Sequence, residues 1–461
     1  MFYKYIYILP LFISILFSQA NFNRVFGQNI YFGDARSMAM GNTYATTGTT
    51  SNLILSNPAK ISALSDNIVI NLQFDSRYHN ERKGIIVKDF FDDIITEADY
   101  VFNQNNYYNH SFGLILNRKI DDNFKIGLAL AKIPLTSFDY NYVEEVRGRD
   151  ATNNVIIGSQ DPLMGYHILK SKGEISLHSV GFSFSFINQN GPISIGIGVN
   201  EVISGKITDI IKTNIVNPSI DPVNLANVED YINISNIRAK NKRFLSYSIS
   251  LPILENIDLT LSYEDDIDIV STNYPKGFQL SPYLGLPSIV GFENGELKLL
   301  LHGLYYNKPE KINLGFTFKP KSRKSLIFTF EGTNSKMKYY ILNSDDETIV
   351  LKDELFDLKI GFEHHVRYRF PIRAGFQYKE NFKNLDATSI FTLGTGKSFK
   401  LFDLDFALNY SMNNYKYYDI FPIQSQWLGN DFFDNGCIND VICNNVKESE
   451  LTLLTTVRVG F

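Results

Sequence analysis

The 461-residue chain holds only two cysteines, one tryptophan and 15 prolines, and its formal net charge is only −5. Each scarcity excludes something. Cys437 and Cys443 are too few for a disulfide scaffold and lack zinc-site spacing. The near-balanced charge offers no basic stripe for a nucleic acid. Beyond the first twenty residues no run of about 18 apolar residues occurs, so no membrane-spanning helix is expected. Chemical motifs are equally sparse. Gly394-Thr395-Gly396-Lys397-Ser398 looks like a phosphate loop, but Phe391 stands where the first glycine is needed and no helix is expected to follow. His364 and His365 adjoin on a strand, point to opposite faces and cannot share a metal. The acids Glu264-Asp265-Asp266-Ile267-Asp268 and Asp345-Asp346-Glu347 have calcium-ligand chemistry but read as solvated loop acids. No catalytic residue, metal site or cofactor is assigned, and the chain does not read as an enzyme.

Aromatics, by contrast, reach 14%, from 36 Phe and 27 Tyr. The N-terminus carries Lys4, an apolar run from Ile6 to Phe17, and then Ser18-Gln19-Ala20. That order predicts a secretory signal peptide over residues 1–20, cleaved after Ala20. No cysteine follows the run to carry a lipid anchor.

Downstream the pattern has period two. Phe402, Leu404, Phe406, Leu408 and Tyr410 share one face, and Asp403, Asp405, Ala407 and Asn409 share the other. Ile312, Leu314, Phe316 and Phe318 alternate likewise with Asn313, Gly315, Thr317 and Lys319. So do Ile193, Ile195, Ile197 and Val199 with the residues between them. A soluble sandwich also alternates. Three features favour a membrane barrel: apolar faces rich in Phe, Leu, Ile and Tyr; segments long enough to cross a bilayer at a tilt; and connections that alternate short and long. About fourteen strands are expected, near 66–74, 109–117, 123–133, 174–187, 192–205, 242–252, 256–267, 309–319, 324–333, 355–369, 371–380, 386–395, 400–412 and 449–461. Links after the even-numbered strands are short, and those after most odd-numbered ones run to tens of residues. The expected fold is all-β: a transmembrane antiparallel β-barrel over residues 66–461, in the outer membrane of a bacterial cell, with its long loops outside. Leu451, Leu453, Thr455, Val457, Val459 and Phe461 share a face of the last strand, and Phe461 resembles the terminal signal read by the barrel-assembly machinery.

Residues 21–65 are rich in small and polar residues broken by Gly and Pro, which makes poor strands. A fourteen-strand lumen is wider than side chains alone fill. The segment is therefore expected inside the barrel as a hatch, the alternative being a disordered leader. Its stretch Gly33-Asp34-Ala35-Arg36-Ser37-Met38-Ala39-Met40-Gly41, followed by Asn57-Pro58-Ala59, resembles the N-terminal hatch of the FadL/TodX transporters of long-chain fatty acids and hydrocarbons, and that of their PorV/PorQ-type relatives in type IX secretion. The match covers about 30 residues. Leu53-Ile54-Leu55-Ser56 before Asn57 and Lys60-Ile61 after Ala59 depart from the family pattern.

The resemblance implies passive uptake of hydrophobic small molecules, bound in a greasy pocket and released into lipid through a kink in the third strand. Pro134 is the candidate kink, set against the plainer reading that a proline there ends the strand as the outer loop begins. Phe278, Leu280, Tyr283, Leu284 and Leu286 form an apolar loop cluster that would collect ligand or pack loop on loop. Cys437 and Cys443 are expected to pair in an oxidising envelope. The alternatives are a type IX component that binds secretion-system proteins, and a porin for small polar solutes.

Overall fold

The structure, a computed structural model, describes residues 27–31, 33–88, 91, 93–147, 163–189, 191–203, 205–216, 231–239, 243–271, 290–293, 296–299, 305–321, 325–342, 348–366, 370–381, 387–417 and 444–461. Residues 1–20, expected as a signal peptide, the loop residues Phe278, Leu280, Tyr283, Leu284 and Leu286, and both cysteines lie outside these residues.

Fourteen wall strands run in chain order: β1 (Ile68–Lys88), β2 (Ile94–Lys119), β3 (Phe124–Ser137), β4 (Glu174–Asn188), β5 (Gly191–Val202), β6 (Arg243–Leu254), β7 (Ile257–Glu264), β8 (Glu310–Phe318), β9 (Leu326–Leu342), β10 (Thr348–Val366), β11 (Phe370–Lys379), β12 (Thr388–Ser398), β13 (Asp403–Tyr417) and β14 (Asn444–Gly460). Each pairs antiparallel with the next. β14 pairs back to β1 from Val69↔Gly460 outward, which closes the barrel. Closure leaves no sheet edge to lipid.

The polarity is inside-out. On β1 the outward side chains Ile70, Leu72 and Phe74 are about half exposed, whereas the inward Asn71, Gln73 and Asp75 are at most 4% exposed. Phe182 and Phe184 on β4, Ile195 on β5, Leu314 and Phe316 on β8, and Leu451 and Leu453 on β14 continue the outer apolar band. A water-facing surface would not carry such a belt, whereas the hydrocarbon of a bilayer requires one.

The strands differ from the expected ones in length. β1 and β2 extend through residues expected to be loop, and only residues 89–93 separate them. Outward positions beyond the apolar band, such as Asn80 and Arg82, are polar, so hydrophobic alternation ends where lipid ends while backbone pairing continues. From β3 to β8 the wall also carries a second tier. Tyr140–Arg147, Leu163–Lys172, Lys206–Ile215, Tyr231–Ala239, Ile267–Ser271 and Tyr305–Lys308 pair in that order. Breaks at Phe138-Asp139, Gly173, Asp265-Asp266 and Pro309 join the tier to the wall strands. The third strand does not end at Pro134. It runs on to Ser137, with Leu135 bulged out of register against β4 between Pro134 and Thr136. A bulge absorbs the missing N–H of proline without ending the strand.

A candidate site: the filled lumen and a parting in the wall

The segment before β1 lies within the wall and folds as short turns: α1 (Ala35–Ala39), α2 (Tyr44–Thr47), α3 (Leu53–Ser56) and a 3₁₀ turn over Pro58–Ile61. Helices this short need outside support. Asp34 provides part of it by capping α1. Its carboxylate accepts from Ser37 N–H at 2.8 Å, and Ser37 Oγ accepts in return from Asp34 N–H at 3.0 Å. The other Asp34 oxygen accepts from Thr49 N–H at 2.6 Å, which ties α1 to the loop after α2.

Gly33, Arg36, Met38, Gly41, Asn57, Pro58 and Ala59 of the hatch-like stretches, like Asp34, all touch this interior. Gly33 turns the chain at φ +66° and its carbonyl accepts from Asn52 at 2.7 Å. Arg36 is held fork-to-fork by Glu363 of β10 at 3.0 and 2.8 Å. Met38 is fully buried against Ala407 and Leu454 of the wall. Gly41, at φ +72°, donates to Thr392 Oγ1 at 2.9 Å. Asn57 donates to Ala45 O at 2.7 Å, Pro58 opens the 3₁₀ turn, and Ala59 N–H donates to Ser248 Oγ at 2.7 Å.

The wall receives this segment on inward glycines. A Cβ on Gly196 would lie 2.3 Å from Ala59 N, and one on Gly361 would lie 2.4 Å from Met40 O. These are close-approach positions where only hydrogen fits. Sequence reading missed them, although Gly196 and Gly198 alternate visibly with Ile195 and Ile197. It also missed the ion network in which Arg373 joins Glu363 at 2.6 Å to Asp405 at 2.5 Å beside Arg36.

The remaining interior divides by polarity. One side is an apolar seam on the inner faces of β3 to β5 and beyond, including Ile133, Leu135, Phe138, Ile175, Leu177 and Val202. It is continuous with Leu53, Ile54 and Ile61 of the inner segment. The other side is a cavity of about 150 Å³ above α2, between Tyr31 and Tyr44 on the inner segment and β7 to β14 on the wall. Its lining is amide, hydroxyl and charge, including Asn313, Lys359, Gln377 and Glu450, with Ile390 and Ala45 as aliphatic exceptions. The expected greasy pocket is thus not this cavity.

Among the described residues the wall parts between β2 and β3. β2 and β3 pair from Lys119↔Lys125 to Phe112↔Lys132 and then separate. Further out, Val101↔Glu144 is the next backbone pair from β2 to the chain after β3. Between these points β3 stays with β4, and its freed edge is taken from inside by Gln28 and Asn29, paired with Ser137 and Thr136. Ile30 N–H donates to Leu135 O at 3.1 Å. Gln28 in turn donates to Glu450 at 2.7 Å and accepts from the buried Arg77 at 2.5 Å. A void of about 10 Å³ lies behind the parting, lined by Ile30, Tyr31, Ser111 and Pro134 among others. Pro134 and the parting therefore coincide.

No family model and no curated protein matches the chain. Solved structures do. A Pseudomonas aeruginosa FadL homologue is 12% identical at a TM-score of 0.53, over 97% of this chain and 100% of its own. The Ralstonia pickettii toluene transporter TbuX is 11% identical at 0.50, over 94% and 99%. The P. putida toluene transporter TodX is 12% identical at 0.50, over 93% and 98%. Identities this low speak for the fold alone: the chain is a closed β-barrel with a lipid-facing apolar band, built as the FadL and TodX barrels are.

Proposed function

We propose that this barrel is a passive outer-membrane channel for hydrophobic compounds, of the long-chain fatty acid or aromatic hydrocarbon kind, which leave it sideways between β2 and β3. The observation that carries the reading is the loss of β2–β3 pairing beyond Phe112 and Lys132, with Gln28–Ile30 seated on the freed edge. The apolar seam ends at that edge, on Ile133, Leu135 and Phe138. An apolar solute pays little to move along such a seam and into lipid, and much to cross a polar headgroup layer. Withdrawal of Gln28–Ile30 would open the parting. The toluene transporters among the structural neighbours fit the same substrate class.

Locking the parting tests this. Asn29 and Thr136 are register partners, so Asn29→Cys with Thr136→Cys can form a cross-strand disulfide, in a Cys437→Ser, Cys443→Ser background. Oxidised cells should take up labelled toluene or oleate no faster than cells lacking the chain, and reductant should restore uptake. Equal uptake by oxidised and reduced cells would refute lateral release.

The polar cavity favours a second reading, passage of small polar solutes, for which the inner segment must move. Planar-bilayer conductance at the level of an open pore would decide for it. The secretion-component reading draws on no feature of the described residues.

A further inference from the structure

Around much of the wall's outer edge, outward cations sit against acids. Arg82 lies 3.7 Å from Asp99, Lys447 lies 2.6 Å from Glu97, Lys336 lies 3.4 Å from Glu310, and Lys338 is bonded to Asp266. The quarter beside the parting is different. Lys132 on β3, Lys170 and Lys172 on Leu163–Lys172, and Lys206 at the start of Lys206–Ile215 have no ion-pair partner among the described residues.

All four face outward. Leu169, Ser171 and Ile207 are the inward, buried members of their strands, which puts Lys170, Lys172 and Lys206 on the opposite face. Lys170 and Lys172 pair in register with Ile210 and Thr208, so Lys206 lies one step along the same face from Lys172. Lys132 follows the outward Leu130, the last apolar residue of that face on β3, and is in register with Phe112 and His178. Of the acids on the adjoining wall strands, Glu201 pairs with Arg243 at 2.9 Å, and Glu174 accepts from Ser176 and pairs with no lysine among the described residues.

Lys132 stands next past the apolar band on β3, and Lys172, Lys206 and Lys170 stand further out, past His178, Ser176 and Glu174 of β4; without a counter-charge among the described residues, they face the polar layer of the leaflet outside the hydrocarbon. From this geometry we infer that the outer face of β3 and of the two strands bearing Lys170, Lys172 and Lys206 is a binding surface for the phosphates of an anionic outer-leaflet lipid. An ammonium on a flexible stem reaches a phosphate as a point charge, and basic clusters at a membrane surface bind anionic headgroups in this way. The surface adjoins the parting through Lys132, so the bound lipid would border the place where β2 and β3 separate. The inference rests on the membrane location of the barrel and is independent of what the lumen carries.

The test uses the full chain in mild detergent, incubated with a phosphorylated outer-leaflet glycolipid or with its dephosphorylated form, and native mass spectrometry of the bound lipid. The variants are Lys132→Gln, Lys170→Gln, Lys172→Gln and Lys206→Gln combined, and Lys447→Gln as a cation that already has its acid. The combined variant should hold the phosphorylated lipid at least tenfold more weakly, while Lys447→Gln should match the parent. The dephosphorylated lipid should bind parent and combined variant alike. Should the combined variant not fold, as read from heat-modifiable gel migration, Lys170→Gln with Lys172→Gln is scored the same way. Equal retention by parent and variant, or an equal loss with Lys447→Gln, would overturn the inference. Displacement of the lipid by inorganic phosphate alone would overturn its assignment to a lipid.

Discussion

Gly41 of the inner segment and Gly375 of β11 meet backbone against backbone. A Cβ on Gly375 would stand 2.0 Å from Gly41 N, and one on Gly41 would stand 2.3 Å from Ile360 O. Neither position has room for any side chain, and Gly41 also needs its φ of +72°. Gly375→Val should therefore unseat Met40–Gly41 while leaving β11 paired, because Val suits a strand. The expected result is a folded barrel with raised ion conductance in planar bilayers. Gly332→Ala is the control, since a Cβ there meets nothing closer than 3.6 Å. Conductance unchanged by Gly375→Val would show that the inner segment does not depend on this contact.

Arg36 and Glu363 are the charged counterpart of that contact. Glu363 is 1% exposed and also holds Arg373, so it remains partly compensated when Arg36 is removed. Arg36→Ala and Glu363→Gln should each destabilise the seated segment. Their double-mutant cycle should give a coupling of roughly 0.5–3 kcal/mol, the range for residues in one hydrogen-bonded network. Thermal unfolding in detergent measures it. A coupling near zero would mean that the segment is held by packing on the wall glycines alone.

The strand order was legible because lipid imposes period two on every outward face, as on Phe402 to Tyr410. What lies beyond lipid was not. Asn80 and Arg82 on β1 are strand residues in a wet environment, and nothing in their polarity separates them from a loop. The inner segment was legible as a resemblance at Gly33–Gly41 and Asn57–Ala59, but its partners were not. Arg36 and Glu363 are 327 residues apart, and only the closed barrel brings them together. Pro134 carried a real signal whose two readings, strand end or bulge, differ in whether a neighbouring strand tolerates a slipped register, and that property belongs to β4 rather than to Pro134. The lumen's polarity misled in the other direction. The expected greasy pocket took no account of the polar inward faces on β7 to β14 that line the wet cavity, and the inward Ile133, Leu135, Ile175 and Leu177 made the seam hard to see.

Lys60 sets a pH dependence. Its ammonium donates to Thr46 O in the crowded space under α2. Burial first, and then the Arg36 charge, bring its pKa down to about 7 from the usual 10.5. A base whose native pKa is depressed costs stability while it is charged in both states, below about pH 7. Between about pH 7 and 10.5 the unfolded chain binds the extra proton, so stability rises with pH through that window. Lys60→Met removes the cost. The variant should unfold at a higher temperature than the parent at pH 6, and the difference should shrink steadily toward pH 10. A difference that stays constant with pH would assign the effect to packing and not to the proton.

Phe461 closes the barrel with its backbone and leaves its ring free. Its N–H donates to Ile68 O at 2.9 Å, and its carbonyl accepts from Ile68 and Asn67 at 3.1 and 2.8 Å. The side chain is 67% exposed, so it adds little to packing. Backbone closure and ring are therefore separable. Deleting Phe461 removes three hydrogen bonds at the seam of β1 and β14, each worth about 0.5–1.5 kcal/mol, and should lower the unfolding temperature of the assembled barrel. Phe461→Ala keeps those bonds and removes only the ring. If the assembly machinery reads the ring, Phe461→Ala should cut the amount of heat-modifiable protein in the outer membrane at least threefold while the unfolding temperature of what assembles stays that of the parent. Parent-level assembly of Phe461→Ala would leave the residue a purely structural role, carried by its peptide group.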